Sequence, residues 1–378
     1  MSSSPFITVV VNYYNDKNFL SECINSILNQ TLTDFELILF NHASTDGSRD
    51  IAHSYNDPRI IHIDADKNLG AGASYNLKYI CPAIKGAFYK GFYADDIMKS
   101  DCLENLYRYA EQHTDKDLIF GNLEIVDTAG KDLKQDWFRC YKNFSVDMTE
   151  IDLMKIFATG GNVLPCPAAM FKTDLLQKIK KDNSLTIRAD IWLWLRCLLV
   201  GAKVGFCDKI VGFYRRHDYQ ESYFDPEIIR QRSEYEKAPL FSCFFDMKNV
   251  ETVKAVFPDS PYADRLTDPQ DIPFYVAEYF LRKKGYFFAY NALFEMMLND
   301  EILERLDRVF GFGVLELRKL YAFKKQPCSF KQKTCWKKRL YAKNPKKLNE
   351  PELLFLLARR CLKRVSGIIT LRFLRHKV

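Results

Sequence analysis

The sequence predicts an α/β fold on a largely parallel mixed sheet, followed by a helical region, and three observations predict it. Short β-branched runs alternate with helical apolar spacings through the first hundred residues. The first run, Ile7–Val11, is almost uniformly apolar rather than alternating, as in strands covered on both faces. Polar clusters (Asn12 to Asn15, Asn41-His42, Asp95-Asp96) follow the runs directly, at the carboxyl ends where open α/β sheets bind ligands.

After the loop at 12–16, Phe19, Leu20, Cys23, Ile24, Ile27 and Leu28 recur at helical spacing, with Asn15 or Asp16 placed to cap that helix. Glu36–Phe40 predicts a second strand, and Ser44-Thr45-Asp46-Gly47 a turn that caps the next helix. Arg59–Ile63 predicts a third strand, followed by a helix start containing Gly70-Ala71-Gly72. Phe88–Tyr93 predicts a fourth, running into Asp95-Asp96. Beyond Asp117 the pattern predicts a strand over Leu118–Val126, a helix over Asp152–Phe157 and an interruption at Pro165-Cys166-Pro167. A helix from near Asp190 through Leu199 and a strand over Val204–Phe213 follow. From about Pro226 the spacing is mainly helical and aromatic-rich, around Phe274–Phe288 and Ala289–Leu298.

At roughly 150 residues per domain, 378 residues predict two domains and a tail. Hydrophobic residues at 47 % and charged residues at 27 % exclude a mostly disordered or collagen-like chain. No run of about 18 apolar residues supports a multispanning membrane protein. The N-terminus has no basic region before its short apolar stretch, so a cytosolic protein is expected. The 11 cysteines include no CxxC pair, which fits reduced core cysteines; Cys328 and Cys335 lack the partners of a zinc site. Charge is uneven: residues 324–378 carry 17 Lys/Arg against Glu350 and Glu352, a net +15 within a chain of +7, so the rest is −8. A basic tail meets a polyanion.

Three places have residues that suit chemistry. Asp95-Asp96 at a strand end is either a solvated turn or an oxygen site for a hard divalent cation. Asp190, ahead of the apolar run Ile191–Leu195, is either a helix cap or a general base on a rigid element, and Trp192 and Trp194 read as packing. His217 ends Tyr214-Arg215-Arg216-His217, where it is either structural or meets a metal or diphosphate.

Five segments in order then resemble the family 2 glycosyltransferases, inverting enzymes of GT-A fold. They are Val9–Asn15 with Ser26–Thr31 and Asp34–Ile38; Ser44–Ser48; Asn68-Leu69-Gly70 with Asn76; Tyr93–Asp96; and Asp190 and Leu193–Arg196 with Tyr214–His217 and Ser222. The resemblance implies transfer of a hexosyl or N-acetylhexosaminyl group from a nucleotide-diphosphate sugar, a UDP-sugar first, with Mn²⁺ or Mg²⁺ as cofactor. It implies that Asn12, Tyr14, Asn15, His42, Tyr75 and Asp95 bind the nucleotide sugar, that Asp96 and His217 meet the metal, and that Asp190 is the catalytic base. It implies an acceptor-side loop at Thr159–Asn162 and Pro165–Pro167. His42 stands where the family commonly has the aspartate that reads uracil, Tyr75 where it has an arginine, Tyr93 where it has an aspartate, and Ala189 where an acidic residue often precedes the base. A neutral imidazole at 42 still accepts a uracil N–H.

The expected organisation is a GT-A domain over 1–225 (1–100 the nucleotide-sugar half, 101–225 the acceptor half), a helical region over 226–323 and a basic amphipathic tail over 324–378. The tail interleaves Phe330, Trp336, Tyr341 and a leucine-rich stretch with its basic residues, as a peripheral helix on an anionic membrane does. Packing as a cap on the domain is the alternative; no RNP-like string, KH loop or zinc module speaks for nucleic acid. The expected acceptor is a glycan or lipid-linked intermediate of surface polysaccharide or glycoconjugate assembly, at the inner face of the cell membrane. The rivals are a non-catalytic nucleotide-sugar or glycan-binding scaffold of the same fold and a nucleotidyltransferase.

Overall fold

The structure is a computed structural model that describes residues 6–68, 70, 77, 79–142, 144–179, 185–217 and 226–322. Tyr75, Asn76, the Gly72 helix start, Ser222 and the basic tail lie outside the described residues.

The strands are β1 (Ile7–Tyr13), β2 (Phe35–Asn41), β3 (Ile60–Asp64), β4 (Phe88–Tyr93), β5 (Ile97–Met98), β6 (Leu118–Val126), β7 (Asp132–Asp136), β8 (Ala169–Lys172) and β9 (Val204–Arg215). They form one sheet in the order β3-β2-β1-β4-β8-β6-β9-β5, with β7 paired to β6. The β3-β2-β1-β4 half is parallel, β8 enters antiparallel to both β4 and β6, and β9 runs parallel to β6. The mixed, largely parallel sheet is the expected one.

Side-chain parity sorts the core onto two faces. Val9 and Val11 of β1, Leu37 and Leu39 of β2 and Ile119 of β6 share one apolar cluster with Ile24, Ile27, Leu103 and Leu106. Those four come from helices α1 (Leu20–Leu28) and α3 (Cys102–Gln112), with α2 (Ser48–His53) between them in the chain. Val10, Ile38, Leu118 and Phe120 face the other way, into a cluster that holds Trp194 and continues through Leu240, Phe241, Phe244 and Phe280. That second face receives α4 (Trp137–Cys140), α5 (Glu150–Ala158), α6 (Thr173–Lys178), α7 (Ala189–Leu199) and α8 (Pro226–Ser242). The later helices are α9 (Val250–Val256), α10 (Ile272–Lys284), α11 (Phe287–Met297), α12 (Asp300–Phe310) and α13 (Val314–Ala322). Trp192 and Trp194 are buried packing residues, as expected. Among the described residues no helix is long and apolar enough to cross a membrane.

One expectation about caps is corrected and one is met. Neither Asn15 nor Asp16 caps α1 with its side chain: Phe19 is the N-cap, the Asp16 carbonyl oxygen accepts from Phe19 and Leu20 N–H at 3.0 Å, and Asp16 Oδ2 turns back to accept from Tyr14 N–H at 2.9 Å. The short side chain satisfies its own loop before it can reach the helix. At α2 the cap position is Gly47, in the left-handed region at φ 96°, and Asp46 one residue earlier accepts from Ser48 N–H at 2.9 Å.

A buried polar knot pins the start of β1. Thr8 donates from Oγ1 to Glu36 Oε1 at 2.6 Å and accepts from Gly86 N–H at 2.8 Å, while Glu36 Oε1 also accepts from Lys85 N–H. Gly86 is buried so closely that a Cβ there would stand 2.4 Å from the Thr8 nitrogen and 2.7 Å from the Ile7 carbonyl carbon. Gly86→Ala must therefore part the backbones of β1 and the β4 approach, at a cost of about 1–3 kcal/mol. Thermal denaturation of the full chain should show a clearly lowered Tm for Gly86→Ala; an unchanged Tm would mean the two segments separate freely.

Candidate active site at the strand ends

β1, β2 and β4 end side by side, because Asn12 is in register with both Phe40 and Tyr93, and Tyr13 with Asn41. The loops that leave them are stitched together. Asn15, at φ 58°, accepts from Thr45 N–H at 2.8 Å and gives its own N–H to Ser44 Oγ at 3.1 Å. Lys17 N–H donates to Asp46 Oδ2 at 3.1 Å. Tyr14 projects between them, exposed, whereas Asn12 is half-buried in the strand.

His42 is buried behind this loop pair, its N–H donating to Tyr13 O at 3.0 Å and its ring edge-on to Phe40. Burial pulls its imidazole down to about 4, so it is neutral at pH 7. Asn41 beside it donates to Asp64 Oδ1 at 2.8 Å and accepts from Ser44 N–H at 2.9 Å. Tyr93, at the end of β4, donates from its hydroxyl to Cys166 Sγ at 3.2 Å.

Asp95 and Asp96 part company. Asp95 is half-buried and its Oδ2 lies 3.1 Å from His217 Nε2, so the end of β9 is brought to the end of β4. The His217 ring is buried against Phe19. Asp96 is buried: Oδ1 accepts from Arg215 N–H at 2.9 Å, whereas among the described residues Oδ2 has no hydrogen-bond partner, nor does His217 Nδ1. Burial, and next the charge of Asp95, hold the Asp96 carboxyl well above the usual carboxylate range. Thus His217 pairs with Asp95 rather than Asp96.

No group of three His, Cys, Asp or Glu side chains with ligand geometry stands among the described residues. A divalent cation held between substrate phosphates and one or two carboxylates needs no such cage. The Asp96 oxygen that has no partner among the described residues fits that kind of ion as a carboxylate ligand.

Two residues of this region escaped the sequence reading. Asp16 was read only as a cap, yet burial first, then Asp95 and Asp46, raise its carboxyl to about 7. Arg215 is buried and donates from Nε to Asp95 O at 2.9 Å, from Nη1 to Thr128 O at 2.7 Å and from Nη2 to Glu22 Oε2 at 2.5 Å, over the Phe19 ring. Its place in the Tyr214–His217 string was the only signal, and that string does not reveal partners 87 to 193 residues away.

Asp190 is the second residue of α7 and not its N-cap, which is Arg188. Its Oδ1 accepts from Ile191 N–H at 2.7 Å and its Oδ2 from Asn162 Nδ2 at 2.6 Å, so the loop at 159–162 touches it directly. Burial raises its carboxyl to about 6, against the pull of these hydrogen bonds and of Arg188.

The family model described as glycosyl transferase family 2 matches residues 8–180. An uncharacterized glycosyltransferase of Methanocaldococcus jannaschii is 31% identical over 215 residues, 56% of this chain and 71% of that protein. Glycosyltransferase GlyG of Streptococcus pneumoniae serotype 4 is 36% identical over 226 residues, again 56% of this chain and 71% of the relative. Among solved structures, residues 1–349 of S. aureus TarS in complex with UDP align with a TM-score of 0.52 at 14% identity, covering 84% of this chain and 89% of that one, a likeness of fold. The GT-A architecture expected from the motifs is therefore the observed one, and the chain belongs to glycosyl transferase family 2.

Proposed function

We propose that this chain is an inverting, metal-dependent transferase that moves a hexosyl or N-acetylhexosaminyl group from a nucleotide-diphosphate sugar, a UDP-sugar first, to a glycan or lipid-linked acceptor. The observation that carries the proposal is the separation of the carboxylates into two places. Asp95 and Asp96 stand at the strand ends with His217, and Asp190 stands on a separate rigid helix against the acceptor-side loop. Two relatives lend it chemistry. Poly(ribitol-phosphate) beta-glucosyltransferase of Bacillus spizizenii is 30% identical over 195 residues, 27% of its own length. TarS, alike in fold, has been solved with UDP and with UDP-GlcNAc.

In this reading Asn12, Tyr14, Asn15 and neutral His42 receive the nucleoside, and Tyr75 belongs to the same set by its place in the motif. Asp95 takes the ribose, and Asp96 with His217 would hold Mn²⁺ or Mg²⁺, which when bound neutralises charge on the diphosphate. Asp190 accepts the proton of the acceptor hydroxyl as that oxygen bonds to the anomeric carbon. The bond from the anomeric carbon to the diphosphate oxygen breaks, and its electron pair leaves with the nucleotide. A single displacement inverts the anomeric centre. The basic tail would hold the enzyme at an anionic membrane face, where lipid-linked acceptors of surface polysaccharide assembly are presented.

Four outcomes are expected. Binding and turnover across UDP-, dTDP-, GDP- and CMP-sugars, with and without Mn²⁺, should single out one donor whose metal-dependent binding Asp96→Ala abolishes. If no donor binds under any metal condition, the non-catalytic scaffold replaces the enzyme. With that donor and its acceptor, Asp190→Asn should keep donor affinity and lose about 10²–10⁴-fold in turnover. The native pH profile should fall as acidity protonates Asp190, below about pH 6; a flat profile there would remove Asp190 from the role of base. The full chain should sediment with anionic vesicles and not with neutral ones, and salt should release it; equal binding to both would refute the electrostatic contact.

A further inference from the structure

The backbone at the start of α7, which carries Asp190, is bound by a carboxylate from α8. Glu236 Oε1 accepts from Thr186 N–H at 2.7 Å and from Thr186 Oγ1 at 2.8 Å. Its Oε2 accepts from Ile187 N–H at 2.9 Å and Arg188 N–H at 2.8 Å. Three consecutive backbone N–H groups thus converge on one carboxylate, the arrangement of an anion nest filled from within the protein.

Arg188 closes the assembly. It donates from Nε to Ser233 O at 2.9 Å and from Nη2 to Ser233 Oγ at 2.7 Å, one turn before Glu236 on the same helix. Its Nη1 donates to Gly160 O at 2.5 Å, and a Cβ on Gly160 (φ +79°) would stand 2.9 Å from that nitrogen. Gly160 lies in the loop whose Asn162 donates to Asp190 Oδ2. Both supports of the Asp190 carboxylate, the helix start beneath it and the Asn162 amide beside it, therefore run back to Glu236 and Ser233 on α8.

We propose that Glu236 is a positioning residue for the reaction: by filling the nest at 186–188 and orienting Arg188, it fixes Asp190 at the distance proton transfer requires. The inference rests on the reading of Asp190 as the base. Replacing one carboxylate oxygen with an amide nitrogen removes the charge and leaves either Thr186 N–H or the Ile187 and Arg188 N–H pair facing a donor, lets the helix start and the loop at 160–162 drift, and leaves the donor side at β1, β2 and β4 untouched. A misplacement of about 1 Å costs about 10²-fold in rate.

The test is Glu236→Gln in the full chain, with two readouts. Hydrogen–deuterium exchange of the peptide over Leu185–Trp192 should quicken about 10-fold or more while β1 and β4 keep their protection. Turnover of the donor found above should fall about 10-fold or more with donor KM held within about twofold. Unchanged exchange at 185–192 overturns the clamp. Quickened exchange with undiminished turnover, in a protein that Asp190→Asn inactivates, overturns the positioning role. If Asp190→Asn is itself fully active, the base reading fails while the exchange result still decides the clamp. Should Glu236→Gln not fold, Ser233→Ala decides by the same measurements: faster exchange and lower turnover at constant KM uphold the inference, and native values for both overturn it.

Discussion

The strand-end site depends on one buried cation. The Arg215 guanidinium lies out of water, and a charge so placed is tolerated only where its donors are satisfied and a counter-charge is present. The sequence meets this from three separate stretches: Glu22 on α1 brings the charge, and the carbonyls of Asp95 and Thr128 take further N–H groups. The Arg215 backbone N–H binds Asp96. One residue therefore ties α1, the Asp95-Asp96 turn, the hairpin before β7 and the end of β9 into a single unit. His217, two residues on, is delivered to Asp95 by that tie. Without it the two carboxylates and the histidine would sit on independent loops.

Much of this fold was legible because burial on both faces leaves a strong local mark. Phe88–Tyr93 and Leu118–Val126 have the bounds their sequence predicts, and β1 and β2 differ by one or two residues at an end. What escaped are β5 and β8, strands of two and four residues whose partners lie far away in the chain, and β7, a five-residue polar return strand of a hairpin with β6. The cap at Asn15 and Asp16 escaped for a local reason: both side chains had nearer backbone N–H groups, at Tyr14 and at Thr45 across the loop.

The site divides in the same way. Positions at strand ends could be read, because strand ends follow from apolar runs. The partition of Asp95 and Asp96 could not, since both lie in the turn between β4 and β5, closed by Asp96 N–H on Tyr93 O at 3.3 Å, where strand parity does not set side-chain direction. One carboxylate faces His217 and the other faces the interior. The unlike chemistry of two neighbouring aspartates comes from burial and from partners far along the chain, His217 for one and Arg215 for the other, with no difference in composition to announce it. His42 is similar: the histidine is plain in the sequence, but its neutrality follows from burial behind the joined loops at 12–17 and 42–46.

The family match ends at residue 180, yet Asp190, Arg215, His217 and Glu236 all lie beyond it. The matched segment holds the sheet half with the strand ends at 12–15 and 41–46, and the segments that pack against it are added from downstream by two charge-assisted hydrogen-bonded ties. Arg215 closes the donor side through Glu22, and Glu236 closes the Asp190 side through the backbone of 186–188. Both ties join segments distant in sequence, and each ends within two residues of a proposed site residue, His217 or Asp190. A shallow strand-end surface cannot hold groups on different loops in register by apolar packing, which is non-directional. Directional, charge-assisted hydrogen bonds do so. The helical region thereby becomes part of the site, because α8 supplies the carboxylate on which the placement of Asp190 rests.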